Sequence, residues 1–195
     1  MIKIVLKKVI ELLNTFIDGD EEQLDGVVVL GNLAQQEENN ENKNKVVLSI
    51  INIQQEGLLR NLSTNIRSFN NEGKANGSIR NPGVYLNIYL LIGANKDNEQ
   101  YGNAIDDISQ VITFFQKNPV FTVEQIPEIK KYNLDKIIFD LYSTSFEELN
   151  HFWGIMGGKY LPSVVYKMQL AFMEGLIVEE DIPFVKKIKS KSDKI

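Results

Sequence analysis

At 195 residues, with 43% hydrophobic and 24% charged residues, the chain lies in the soluble globular range and can bury one core. It has no cysteine and one histidine, which excludes disulfides, iron–sulfur clusters and thiolate zinc sites and leaves little for an imidazole-based metal site. The net charge of −5 has the wrong sign for a protein that wraps nucleic acid or clings to anionic lipid.

Met1 to Asp18 begins with lysines and aliphatics, but polar Glu11, Asn14 and Thr15 interrupt it and no small-residue cleavage site follows. The helical spacing of Val5, Val9, Leu12, Leu13, Phe16 and Ile17 predicts an amphipathic helix. No run has the length of a transmembrane span, so neither insertion nor export is expected. Val27 to Asn32, bounded by Gly26 and Gly31, predicts a short strand, and Gln35 to Asn44 a solvated loop. Lys45 to Gln54 predicts a second strand, with Val46, Leu48 and Ile50 on one face and Val47, Ile51 and Ile53 on the other, hence cover from both sides.

Arg60 to Pro82 is rich in Asn, Gly and Ser and reads as a long loop or loose hairpin. Val84 to Ala94 alternates clearly enough to predict a strand. Asp97 and Gln100 fit a capping box for a helix with the stripe Tyr101, Ala104, Ile105, Ile108, Val111, Ile112 and Phe115, which Asn118-Pro119 ends. Lys136 to Tyr142 predicts a further strand. Ser145 with Glu148 caps a short helix carrying Phe146, Leu149, Phe152, Trp153 and Met156, closed by Gly157-Gly158. Ser163 to Met173 predicts a last long strand. This order fits a single α+β domain over residues 1–175, a mostly antiparallel sheet with three helices packed on it. Residues 176–195, acidic and then lysine-rich, are expected to form a charged flexible tail.

Catalytic patterns do not assemble. His151 lies beside Phe152 and Trp153 with no nucleophile motif, so it reads as a packed or hydrogen-bonded structural histidine. Gly157-Gly158-Lys159 lacks the upstream glycine of a phosphate loop and has Tyr160 where Ser or Thr would hold magnesium. The acidic pairs Glu37-Glu38, Asp106-Asp107 and Glu147-Glu148 follow no calcium-loop pattern and read as solvated faces. The sequons at Asn61 and Asn76 matter only in a secretory pathway. No enzyme, cofactor or metal is therefore expected. Between Val9 and Asn42 nine carboxylates occur without a Lys or Arg, which predicts a negative surface able to steer a basic partner. Packing explains Trp153 and both glycines, as core anchor and left-handed cap. It does not explain the crowd of polar and aromatic groups around them, and Asn150, His151, Lys159, Tyr160, Pro162 and Ser163 have the composition of a contact surface.

Several blocks in fixed order carry a resemblance over roughly Ile2 to Phe172. They are the opening helix, Val28-Val29-Leu30-Gly31-Asn32-Leu33, Asn81-Pro82-Gly83-Val84-Tyr85-Leu86-Asn87, and Phe114-Phe115-Gln116-Lys117-Asn118-Pro119-Val120-Phe121. The longest runs from Leu149-Asn150-His151-Phe152-Trp153-Gly154 through Gly157-Gly158-Lys159-Tyr160-Leu161-Pro162-Ser163-Val164. Through these blocks the sequence resembles the tube-terminating cap proteins of extracellular contractile injection systems of the antifeeding-prophage type. The resemblance implies a phage tail-terminator-like fold and a structural role. Members form a homohexameric ring at the end distal to the baseplate, sit on the last ring of the inner tube protein and engage the contractile sheath protein. A stacked-ring polymer grows because each ring offers the next the same face, so a terminator copies one face and withholds the other. Assembly in the cytoplasm, no nucleic acid and no membrane are expected, with Arg60 to Pro82 and the lysine-rich tail as candidate arms. Some members continue into a further C-terminal domain, whose contacts are not carried over. The alternatives are another ring-forming baseplate or sheath adaptor, or a small-ligand-binding regulatory α+β domain.

Overall fold

A computed structural model describes residues 1–18, 26–35, 42–57, 65–69, 75–80, 85–158, 160–172 and 177–182. For 65–69, 75–80 and 177–182 only the backbone is described. The long helix α1 (Ile2–Asp18) buries Val5, Leu6, Val9, Ile10 and Leu13, two i,i+4 rows that make one apolar stripe. Leu12 and Phe16, expected in that stripe, lie at its border and stay over a third exposed; Phe16 is partly covered by the Phe114 ring and the Lys117 ammonium.

The main sheet has six strands in the order β1-β2-β5-β8-β7-β6: β1 (Val28–Leu30), β2 (Lys45–Gln55), β5 (Leu86–Asn95), β8 (Ser163–Phe172), β7 (Leu134–Leu141) and β6 (Val120–Thr122). β1 runs parallel to β2 and every other pairing is antiparallel, so the sheet is mixed but mostly antiparallel. A second sheet joins β3 (Asn65–Phe69), β4 (Ala75–Arg80) and β9 (Ile177–Ile182) in the order β3-β4-β9. Of the two readings of Arg60 to Pro82, a long loop or a loose hairpin, the structure shows the hairpin, with β3 antiparallel to β4. One sequence reading changes here. Residues 177–182, read as the start of a flexible tail, form β9, because β4 offers them a ladder despite Glu179, Glu180 and Asp181.

Helices cover both faces of the main sheet. On one face α1 and α2 (Tyr101–Lys117) meet Val46, Leu48, Ile88, Leu90, Ile92, Tyr166, Met168 and Leu170 in the larger core. Its centre is aromatic: Phe115 stacks on Phe139 at 4.7 Å and contacts Tyr166 at 4.6 Å, and Phe121 meets Phe139 edge-on at 5.5 Å. The expected α2 stripe holds for Ala104, Ile108, Val111 and Phe115, whereas Tyr101 and Ile105 are about half exposed. Asp97 makes no side-chain cap; a 3-10 turn (Asn98–Gln100) precedes α2, and Asp97 pairs instead with Lys43 at 3.3 Å. Behind that turn Lys96 and the buried Asp107 form an ion pair at 2.6 Å, each side chain about one-tenth exposed.

On the other face α3 (Phe146–Ile155) and the 3-10 turn Leu33–Gln35 close a smaller core of Leu33, Val47, Leu91, Trp153, Leu161 and Val165. A β-bulge at Ile51 changes the expected facing of β2. Past it Ile53 lies opposite Ile88 and so turns to the face of the larger core, although the alternation assigned it to the other. There the covering helices end, leaving Ile50 and Ile53 exposed at 40% and 47%.

Candidate functional site

The corner built by α3 and the start of β8 carries most of the sequence-derived contact residues. α3 starts where the sequence placed it. Ser145 Oγ accepts the Glu148 N–H at 3.2 Å, and Glu148 returns a carboxylate oxygen to the Ser145 N–H at 2.8 Å, a complete capping box. The Tyr142 hydroxyl donates to the other oxygen of Glu148 at 3.1 Å. The Ser145 N–H and then the Tyr142 hydroxyl hold the Glu148 carboxyl below its ordinary range, and the same bond to Glu148 raises the Tyr142 hydroxyl. The helix stops at two left-handed glycines, Gly157 at φ 92° and Gly158 at φ 78°, and the Gly158 N–H closes the end on the Trp153 carbonyl at 2.7 Å. The chain then returns along Tyr160 and Leu161 to β8, where the Pro162 carbonyl accepts the Ala94 N–H at 3.0 Å.

Leu149, Phe152, Trp153 and Met156 pack inward, as the spacing required. Asn150 and His151 lie exposed on the outer side of α3. Of the two structural readings of His151, packed or hydrogen-bonded, its exposure rules out the packed one, because it lies across the helix from Leu149 and Trp153. Tyr160 lies edge-on against Trp153 at 5.7 Å and is 61% exposed. Pro162 and Ser163 are half-buried, Ser163 as the first residue of β8 opposite Gly93. Lys159 lies outside the described residues, as does the acidic run at 20–25, 37, 38 and 41. The structure therefore exposes Asn150 and His151 on the outer side of α3, sets Tyr160 against Trp153, and half-buries Pro162 and Ser163 at the entry to β8.

Two apolar residues of this corner stand out to solvent. Phe146, expected in the inward stripe, is 92% exposed because it opens the helix ahead of the sheet-facing residues. Ile155 is 77% exposed. At 100° per residue Ile155 lies at the flank of the stripe of Leu149, Phe152, Trp153 and Met156, next to Phe152, and as the last residue of α3 it is left in solvent. Large apolar groups standing out on a corner otherwise polar are what a buried contact uses. Among the described residues no cluster of acidic, histidine or cysteine side chains has the makings of a metal site, and no helix is long and apolar enough to cross a membrane. The arrangement can bind by shape and apolar contact.

Comparison with known proteins gives the fold a setting. The family model of the Pvc16 N-terminal domain matches residues 5–187. The fold is similar to that of the sheath/tube terminator of an extracellular contractile injection system, PVC, in its extended state, at a TM-score of 0.55 and 16% identity. That alignment covers all of this chain and 64% of the terminator chain, so the present chain spans under two thirds of its length. The cap of the anti-feeding prophage, a tube terminating cap, aligns over 76% of this chain and 49% of its own, at 18% identity and a TM-score of 0.49. No curated protein sequence matches.

Proposed function

The chain belongs to the Pvc16 N-terminal domain family, and from that membership we propose that it is a structural cap of a contractile injection system. Copies of it form a hexameric ring at the distal end of the particle, seat on the last ring of the inner tube, end polymerisation of tube and sheath, and couple the two during contraction. The observation that carries this reading is the match of one family model across nearly the whole chain, residues 5–187. The shared α+β fold with a sheath/tube terminator is consistent with it. Terminating a polymer is a task of surfaces, with no bond made or broken, and an α3 corner with Phe146, Ile155 and Tyr160 exposed suits contact between copies or with a tube ring. Assembly takes place in the cytoplasm, before the ring becomes part of the particle.

Electron microscopy of particles from a strain lacking the gene tests the reading: overlong or ragged tubes are expected, and normal tube lengths contradict it. On the purified protein, Ile155→Asp and Tyr160→Asp should abolish ring formation while the melting temperature stays within a few degrees, since both side chains are mostly solvated in the monomer. Variants that unfold instead would mark these residues as core.

A further inference from the structure

Edge strands are templates for pairing with other chains, and this sheet treats its edges unequally. At β1 the Asn14 amide imitates a neighbouring strand: its Oδ1 accepts the Val28 N–H at 2.8 Å and its Nδ2 donates to the Val28 carbonyl at 3.0 Å. At β6 the Thr122 N–H donates to Gln125 Oε1 at 3.2 Å, and the Thr122 carbonyl accepts the N–H groups of Gln125 and Ile126. Both outer strands are three residues long. β2 is different. It has 11 residues, and β1 covers only Val46 to Leu48. Beyond that point β1 leaves the edge, drawn aside by Ser49, whose hydroxyl donates to the Gly31 carbonyl at 2.6 Å and accepts the Leu33 N–H at 3.0 Å.

The backbone polarity of the uncovered stretch follows from the register. The Val46 N–H and the Leu48 carbonyl point towards β1, so the N–H and C=O of Ile50 point the same way. The bulge at Ile51 shifts the alternation: Asn52 and Gln54 pair with β5, and Ile53 and Gln55 face outward. Three outward residues thus lie along one edge that no described strand covers, beside the exposed side chains of Ile50 and Ile53. On the short outer strands β1 and β6 themselves, only Leu30 and Val120 face outward without a described partner.

The geometry points to strand addition at this edge: Ile50 to Gln55 of β2 accepts strand β3 of a second copy of the chain. The chain itself supplies the donor. The outer strands of the smaller sheet are β3 and β9. β9 reads Ile-Val-Glu-Glu-Asp-Ile, and its consecutive acids are the kind that natural edges use to discourage pairing. β3 has one charge, Arg67, in five residues, close in length to the acceptor stretch. Acceptor and donor belong to different elements, so each pairing leaves a free acceptor on one copy and a free donor on the next, the head-to-tail pattern that closes into a ring. The inference rests on the ring reading above and names the contact that builds the ring.

Two variants and a cross-link test it on the full chain. Ile53→Pro removes an outward N–H and trims a side chain that is already half exposed, so the fold should remain while self-association weakens at least about fivefold by sedimentation. Ile53→Thr keeps the N–H and should restore association. Because the chain has no native cysteine, one carrying Ile53→Cys mixed with one carrying Ile66→Cys or Ser68→Cys should yield a disulfide-linked dimer on oxidation. Rings that form normally with Ile53→Pro and give no such cross-link overturn the strand addition and leave the ring reading standing. A wild-type chain that stays monomeric both alone at high concentration and with inner tubes present overturns both.

Discussion

The amide of Asn14 offers the sharpest test of how the main sheet is finished. Replacing it by alanine removes two hydrogen bonds, at 2.8 and 3.0 Å, both part-buried, and leaves the Val28 N–H and C=O without a partner. A net hydrogen bond contributes about 1 kcal/mol, and each polar group left unpaired in a half-buried place adds to that, so Asn14→Ala should cost about 2 kcal/mol. For a domain of this size that lowers the melting temperature by about 4–8 °C. Urea unfolding followed by far-UV circular dichroism measures it, with the slope m unchanged if the native sheet is otherwise intact. Asn14→Asp should cost at least as much, because a carboxylate still accepts the Val28 N–H but sets an oxygen against its carbonyl. Asn14→Ala should also aggregate faster, since it opens an edge that the amide keeps closed. A loss below about 0.5 kcal/mol for both variants would mean that water satisfies Val28 as well as the amide does, and the reasoning about guarded edges would fail.

Other positions give independent checks. Phe115→Ala should destabilise by about 3–5 kcal/mol by calorimetry, because the ring is fully buried between Phe139 and Tyr166. Gly158→Ala should cost about 1–2 kcal/mol at φ 78°, whereas Gly154→Ala, in open space within α3, should stabilise by about 0.5–1 kcal/mol. Ser145→Ala should lose about 1 kcal/mol through its cap. The Glu148 carboxyl is held below its ordinary value when folded, so its stabilisation is present above about pH 4.5 and is lost as pH falls through the depressed value. Glu148→Gln should flatten the stability profile in that acid window and leave the slope above it unchanged.

The elements with strong periodicity were legible without coordinates. α1, β2, β5, β7, α3 and β8 lie within a residue or two of their expected bounds, because each buries an apolar face whose spacing declares itself. The capping box at Ser145 and the glycine pair at Gly157 and Gly158 were equally clear, being local chemistry. Asp97 had the same kind of signal and failed, because a 3-10 turn lies between it and α2 and Lys43 competes for its carboxylate. The β3–β4 hairpin was legible only as one of two alternatives, and β9 was missed, since their residues are mostly polar or small; backbone ladders hold them, and composition does not record those. The bulge at Ile51 is a single-residue offset inside a continuous apolar run, so alternation alone put Ile53 on the wrong face. At the α3 corner Asn150 and His151 are exposed, while Phe146 was placed in the inward stripe by the habit of assigning apolar side chains to the interior, and Ile155 was not singled out.

The ion pair between Lys96 and Asp107 sets how the molecule yields to load. It links the residue just after β5 to the second turn of α2, with both side chains close to dry. Sliding the helix by one turn along the sheet would strand a carboxylate and an ammonium in an apolar setting, which costs far more than an ordinary surface contact. Under tension the helix layer therefore keeps its place on the strands, and deformation goes first to strand ends and connecting turns.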